Sequence, residues 1–200
     1  TWNDLSGRGN NATLYNTPSY SSNFGGILTF VDTSSQYADL NNLGNLSVWT
    51  IEAWARAKSS LTNKVTSIIS SEFDLVSKLN FSLGTNNSPS NYRLAVGYFN
   101  GAWRTTSGYT VSTDTWYHFT GTYDGTTLKM YVNGVFNHSY SYSGTPQSGG
   151  KVRIARRWDE TVSSGNLFHG DIPVVRIYNR ALTSEEISQN YNFEKTRYVV

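Results

Sequence analysis

The 200-residue sequence contains no cysteine. That excludes disulfide frameworks, thiolate metal sites and cysteine nucleophiles. Charge is sparse: 15% of residues are charged, and sixteen basic side chains face fourteen acidic ones, for a net of +2 and a pI near 8.7. No strong field follows from that balance, so nucleic acid is not an expected partner. No apolar run approaches membrane-spanning length and no basic-then-apolar signal opens the chain, so membrane insertion is not expected. No fixed-period repeat and no Pro-rich or Gly/Ser linker divides the sequence, and one domain over residues 1–200 is expected. The chain opens at Thr1 rather than Met, which reads as a processed product, an excised domain or a fragment of something longer.

What is present points to β-structure. Aromatics make up 14% of the residues, with 14 Tyr and 6 Trp. Ser, Thr, Asn and Gly fill the gaps between apolar runs, a mixture that suits pleated strands and tight turns. In residues 49–55 (WTIEAWA), Trp49, Ile51, Ala53 and Ala55 share one face, and Thr50, Glu52 and Trp54 share the other. An aromatic on each face fits a central strand covered on both sides. Residues 116–140 read as a three-strand meander. Asp124-Gly125 forms its first turn and Asn133-Gly134 its second, because Asn-Gly tolerates the positive φ of a type I′ turn. Asn100-Gly101 marks a further hairpin, between residues 94–99 and 103–106. Residues 172–178 form a late strand, with Pro173 expected at its start or on an edge. One helix follows, near residues 184–191. Thr183 and Glu186 make a capping box there, and Leu182 with Ile187 a hydrophobic staple. The densest basic stretch, Lys151, Arg153, Arg156 and Arg157, reads as a solvated strand edge followed by a turn.

Four motifs carry a resemblance. They are the opening Trp2-Asn3-Asp4-Leu5-Ser6-Gly7-Arg8-Gly9-Asn10-Asn11; Thr50-Ile51-Glu52-Ala53-Trp54; the stretch from Trp116-Tyr117-His118-Phe119 through Asp124-Gly125 to Tyr131-Val132-Asn133-Gly134; and Phe168-His169-Gly170-Asp171-Ile172 running on to Ala181-Leu182-Thr183 and Glu186-Ile187. Together they resemble the laminin G-like domains of the concanavalin A-like superfamily. That resemblance implies an all-β, two-sheet antiparallel jelly-roll sandwich with one short C-terminal helix. The DLSGRGNN opening and the tail from Ser188 to Tyr198 resemble laminin G-like proteins of tailed-phage structural proteins. They imply a virion surface, fibre or decoration protein, with other virion proteins and a homo-oligomer as partners. A secreted, extracellular lectin-like or adhesion domain is the alternative. A glycoside hydrolase accessory or divergent glycosidase domain is a third reading, because this fold hosts unrelated functions.

The residues argue for binding over catalysis. Glycan-cleaving relatives set acids at alternate strand positions, which places nucleophile and acid beside one sugar. Glu72-Phe73-Asp74 begins such a pattern, but Val76 and Ser77 occupy the completing positions. Asp159 and Glu160 are adjacent, hence on opposite faces of an extended chain, and Glu185 and Glu186 suit a helix first turn. His118, His138 and His169 show no metal spacing, and no G-x-S-x-G elbow exists. His118 reads as a satisfied strand histidine. No catalytic residue is assigned.

The resemblance also implies Ca²⁺ at the sandwich edge, from a carboxylate and loop carbonyls. Asp4, the backbone around Gly9 to Asn11 including Asn10, and Asp171 are the metal candidates. Many relatives carry an acid where this chain has Pro173. Asp4 can instead close an Asx-type turn with Ser6 and Gly7. For a glycan or host cell-surface polysaccharide, the requirement is an exposed aromatic ring beside polar groups. Trp103-Arg104 is one candidate platform, and Arg156-Arg157-Trp158-Asp159 another. Each Trp taken singly is as readily a lid packed beneath its own loop.

Overall fold

The computed structural model describes residues 1–41, 43–44, 46–58, 66–71, 82–86, 93–142, 144–146, 151–157 and 167–198. Strands numbered in chain order form two antiparallel sheets. The eight-stranded sheet runs β1 (Thr13–Tyr15), β4 (Tyr37–Leu40), β14 (Val152–Ile154), β6 (Ser67–Ser71), β7 (Ser82–Asn86), β8 (Arg93–Phe99) and β10 (Tyr109–Thr110), with β9 (Trp103–Thr105) also on β8. The seven-stranded sheet runs β13 (Val135–Ser141), β12 (Thr127–Val132), β11 (Trp116–Tyr123), β5 (Trp49–Ala57), β15 (Gly170–Tyr178), β3 (Ile27–Phe30) and β2 (Ser19–Ser21). Local runs (β11-β12-β13, β6-β7-β8, β2-β3) are joined by long-range pairings such as β4-β14-β6 and β11-β5-β15-β3, the jelly-roll arrangement that the motifs imply.

The core lies between the sheets and follows strand alternation. Trp49, Ile51, Ala53 and Ala55 of β5, with Leu128 and Met130 of β12, meet Val96 and Tyr98 of β8 and Val152 and Ile154 of β14. Gly121 lies where the two sheets come closest, and a Cβ there would collide with the Val96 side chain. The meander forms as the sequence predicts. Asn133 and Gly134 both take positive φ, at 51° and 75°, and Asn133 Oδ1 accepts the His118 N–H at 3.0 Å. Pro173 differs from expectation. It lies inside β15, a strand paired on both sides, at a register shift between Asp171 and Val174. The bulge removes the need for the N–H that proline lacks.

The helix α1 (Ser184–Tyr198) is longer than its cap suggests. The capping box forms: Glu186 accepts the Thr183 N–H at 2.9 Å, and Thr183 Oγ1 accepts the Glu186 N–H at 3.3 Å. Leu182 and Ile187 join Tyr131 in a small buried cluster. The added turns are held by tertiary contacts, because Tyr198 packs with Trp54, Trp116 and Ile27 on the outer face of the seven-stranded sheet.

Beneath α1 sits a charged cluster. Arg176 of β15 donates to Glu52 Oε1 at 2.6 Å and to both carboxylate oxygens of Glu194. Glu194 also accepts the Trp54 indole N–H at 2.9 Å, and Asn190 donates to Glu52 at 3.0 Å. His118 Nε2 stands 3.3 Å from Glu52 Oε1, within ion-pair reach, but neither ring nitrogen makes a well-aligned hydrogen bond. The satisfied strand histidine of the sequence reading is therefore a fully buried one, held by packing against Trp54 and Tyr191. Burial raises the Glu52 pKa, but His118, Asn190 and Arg176 outweigh it and hold the carboxyl below its ordinary value.

Removing the cation leaves two buried carboxylates facing each other. Arg176→Met is expected to cost about 3–5 kcal/mol in urea unfolding at neutral pH. The folded-state pKa of Glu52 is depressed, so its stabilisation is full above the ordinary value of 4.5 and fades as pH falls below it. Urea midpoints at neutral and acid pH are expected to converge between wild type and Arg176→Met as the carboxylates protonate. An undiminished gap at acid pH contradicts this account of the cluster.

Candidate functional site

α1 covers part of the outer face of the seven-stranded sheet, and on the outer face of the eight-stranded sheet Trp103 and Tyr15 are exposed aromatic side chains. On β8, Leu94, Val96 and Tyr98 point into the core, so Phe99 points outward. The chain then reverses through Asn100 and Gly101, whose φ of 96° suits glycine. β9 returns with Trp103 paired to Phe99. Trp103 is 42% exposed, and its ring meets Phe99 edge-on at 5.7 Å.

Arg104 takes the other face of β9. Its Nε donates to Asn100 Oδ1 at 3.0 Å, and its guanidinium lies 5.2 Å from the Tyr142 ring centroid. Tyr142 is positioned in turn: its N–H donates to the Thr126 carbonyl at 2.8 Å, and its hydroxyl donates to the Thr105 carbonyl at 3.3 Å. Tyr140 stacks on Tyr142 at 5.6 Å.

The basic stretch arrives from β14. Ala155, fully buried, takes a φ of 65°, an unusual conformation for a residue with a Cβ. It is fixed by hydrogen bonds from its N–H to Ile68 and from the Phe168 N–H to its carbonyl. Ser70 Oγ donates to the Arg156 carbonyl at 3.1 Å, and Arg156 bridges to Leu167. This turn carries Arg157 across the sheet, where its guanidinium lies 5.3 Å from the Trp103 ring centroid. Such a cation–aromatic contact contributes about 0.5–1 kcal/mol. Trp103-Arg104 and the 156–159 stretch, two separate platforms in the sequence, therefore converge on one spot through Arg157. Trp158 and Asp159 lie outside the described residues.

Arg156 goes elsewhere. It lies 4.9 Å from the Tyr37 ring centroid, and Arg153 lies 4.5 Å from the same ring. Arg153 also grips Asp39 in a bidentate pair at 2.7 and 3.0 Å. Tyr15 stacks on Tyr37 at 4.6 Å with only 7° between the planes. The solvated edge expected of the basic stretch is corrected in part: Lys151 is exposed, but β14 is paired on both sides and Arg156, against the Tyr37 ring, is only 8% exposed. Phe99, Tyr142, Tyr15 and Tyr37 were not singled out from the sequence, and Asn100 was read there only as a turn residue. The alternation Tyr140-x-Tyr142, running just past the end of β13, could have flagged one of them. The Tyr15–Tyr37 pair has no local signal, since it depends on strand register.

The calcium candidates do not assemble a cation site. Asp4 Oδ1 accepts the Ser6 N–H at 2.8 Å and Oδ2 the Asn10 N–H at 2.9 Å, while Asn11 Oδ1 accepts the Asp4 N–H at 2.8 Å. Asp4 closes its own loop, with Asn10 as a backbone donor to it. Asp171 is buried on β15, where it accepts Arg56 Nε and Nη2 at 2.9 and 2.7 Å and the Thr29 hydroxyl at 2.6 Å. A guanidinium already occupies the place a cation would take. Among the described residues no group of three or more His, Asp or Glu side chains is placed to hold a metal.

For hydrolysis, the carboxylates brought together among the described residues are Glu52 and Glu194, which are bridged by Arg176 and roofed by α1. Glu186 is held at a pKa of about 2, mainly by Arg180. His169 Nδ1 sits 3.0 Å from Asp32 Oδ1, away from His118 and its Glu52 partner. Glu72, Asp74, Val76, Ser77 and Glu160 lie outside the described residues.

Residues 32–188 match the laminin G-like family described as the concanavalin A-like lectin/glucanases superfamily, and the chain belongs to it. No curated protein matches the chain. Among solved structures, the botulinum neurotoxin serotype G binding domain is similar at a TM-score of 0.75 and 16% identity, over 96% of this chain and 48% of that one. A native heptameric SAP-like pentraxin from Limulus polyphemus is similar at a TM-score of 0.59 and 17% identity, over 76% and 73%. A botulinum neurotoxin type C structure, whose cell entry is described as dependent upon interaction with two ganglioside molecules, is similar at a TM-score of 0.73 and 15% identity, over 96% and 48%. The chain spans about half the length of these neurotoxin structures. At such identities the likeness is one of fold.

Because Asp4 and Asp171 are already satisfied by N–H, hydroxyl and guanidinium donors, thermal unfolding with excess Ca²⁺ and with EDTA is expected to give one melting temperature. A calcium-dependent rise that Asp4→Ala abolishes contradicts this geometry.

Proposed function

We propose that the chain is a non-catalytic glycan-binding module whose ligand rests on Trp103. One observation carries the proposal: a Trp ring that is 42% exposed and yet clamped, edge-on by Phe99 and by the Arg157 guanidinium. A sugar's apolar face needs a flat aromatic surface, and a ring fixed in advance lowers the ordering cost of binding. Arg104 is on the opposite face of β9, so the polar group beside the ring is the Arg157 guanidinium. The superfamily supplies precedent, as do binding domains of the same fold for which gangliosides or a sialylated ligand are named. The non-catalytic reading is supported by the burial of Glu52 and Glu194, both engaged by Arg176 beneath α1 and withdrawn from any sugar. The virion setting, with its homo-oligomer and virion partners, rests on the two ends of the chain alone. A secreted lectin-like protein uses the same surface equally well.

A glycan array probed with wild type and Trp103→Ala tests this. Wild type is expected to retain at least one glycan class uncleaved, and loss of the ring is expected to cost about 2 kcal/mol, roughly thirtyfold in affinity. Its stability is expected to move by less than about 1 kcal/mol, because the ring is half exposed. Equal binding by both proteins, or release of cleavage products, rejects the proposal.

A further inference from the structure

We infer that Tyr15 forms a second aromatic subsite on the same sheet face, so that the ligand is an extended glycan chain rather than a single terminal sugar; this builds on the glycan-binding reading of Trp103. Tyr15 lies on β1, an edge strand, and is 40% exposed. Most exposed tyrosines sample several rotamers. This ring is fixed by a ladder: it stacks on Tyr37, Tyr37 carries Arg153 and Arg156, and Asp39 holds Arg153 by two hydrogen bonds. Tyr15 therefore shares the property that marks Trp103, an open ring ordered before any ligand arrives.

The two rings share a face. Tyr15 is in register with Tyr37, and Asp39 with both Thr13 and Arg153, while Ala38 and Ile154 between them point into the core. Phe99 and Trp103 likewise stand opposite the core residues Val96 and Tyr98. One short segment serves both ladders: Arg153 and Arg156 lie on Tyr37, and Arg157 lies on Trp103. Trp103 is on β9, on the side of β8 away from β7, so the order from Tyr15 to Trp103 is β1-β4-β14-β6-β7-β8-β9, six strand spacings, or about 29 Å along the sheet. A disaccharide cannot touch both rings, whereas a hexasaccharide can.

The test is chain length. Calorimetric titrations use disaccharides and hexasaccharides of the β-glucan, mannan, galactan and oligogalacturonate series against wild type, Trp103→Ala, Tyr15→Leu and Tyr15→Phe. In the series that binds, the hexasaccharide is expected to bind wild type at least about tenfold tighter than the disaccharide. Tyr15→Leu is expected to erase that gain without changing disaccharide affinity. Tyr15→Phe is expected to keep it, and Trp103→Ala to weaken both lengths. A melting temperature equal to wild type confirms that each variant is folded, and Tyr15→Phe keeps the test valid should Tyr15→Leu be unstable. Equal affinity for both lengths, or a gain that survives Tyr15→Leu, overturns the second subsite while leaving the Trp103 reading intact. No binding in any series, or a Trp103→Ala protein that matches wild type, overturns both.

Discussion

The arrangement of this chain turns on Arg176. Its guanidinium joins Glu52 of the central strand β5 to Glu194 of the helix α1, and Glu194 in turn takes the Trp54 indole N–H. Two carboxylates with almost no solvent access would repel one another without that cation. With it, the outer face of the seven-stranded sheet becomes a second buried layer. Trp54, Trp116 and Tyr198 pack there, and Thr50 ties the strand to the approach to α1 by bonds to Arg180 and Leu182. A buried ion pair is weak evidence for net stability, but it is strong in fixing geometry, because few alternative placements of α1 satisfy both acids at once.

The proposed binding site lies on the other sheet. The aromatic rings that remain accessible on the eight-stranded sheet are not loose. Tyr15 is backed by Tyr37, and Trp103 by Phe99 and Arg157, while the guanidinium groups on Tyr37 and Trp103 come from β14 and the left-handed turn that follows it at Ala155. Backbone strain at a buried alanine, held by bonds to Ile68 and Phe168, aims Arg157 toward Trp103. A domain built for stability alone has no use for rigid, solvent-facing rings, whereas a sugar-binding surface does.

Much of this was legible in the residues. Alternation in β5 announced a strand covered on both faces, Asn133-Gly134 announced the hairpin, and the Thr183–Glu186 capping box marked where α1 begins. What escaped notice depends on pairing between distant strands. Nothing near Glu52 signals Glu194, and nothing near Tyr15 signals Tyr37 or Arg153. Asp171 was a metal candidate because the family resemblance implies a calcium at the sandwich edge, yet sheet register places Arg56 against it. The basic stretch looked solvated because spacing along the chain does not reveal which rings lie across the sheet. The Trp103 platform was half visible: both of its contributing segments were identified, but not that they meet.

The account claims that ligand meets the eight-stranded sheet and that the seven-stranded sheet is closed by α1. The six Trp indole N–H signals in a nitrogen-15 NMR titration report on both claims at once. As a glycan that the protein retains is added, the account predicts that the Trp103 signal shifts while those of Trp49, Trp54 and Trp116 stay in place. Movement of Trp54 or Trp116 with a stationary Trp103 would place the ligand beneath α1 and contradict it.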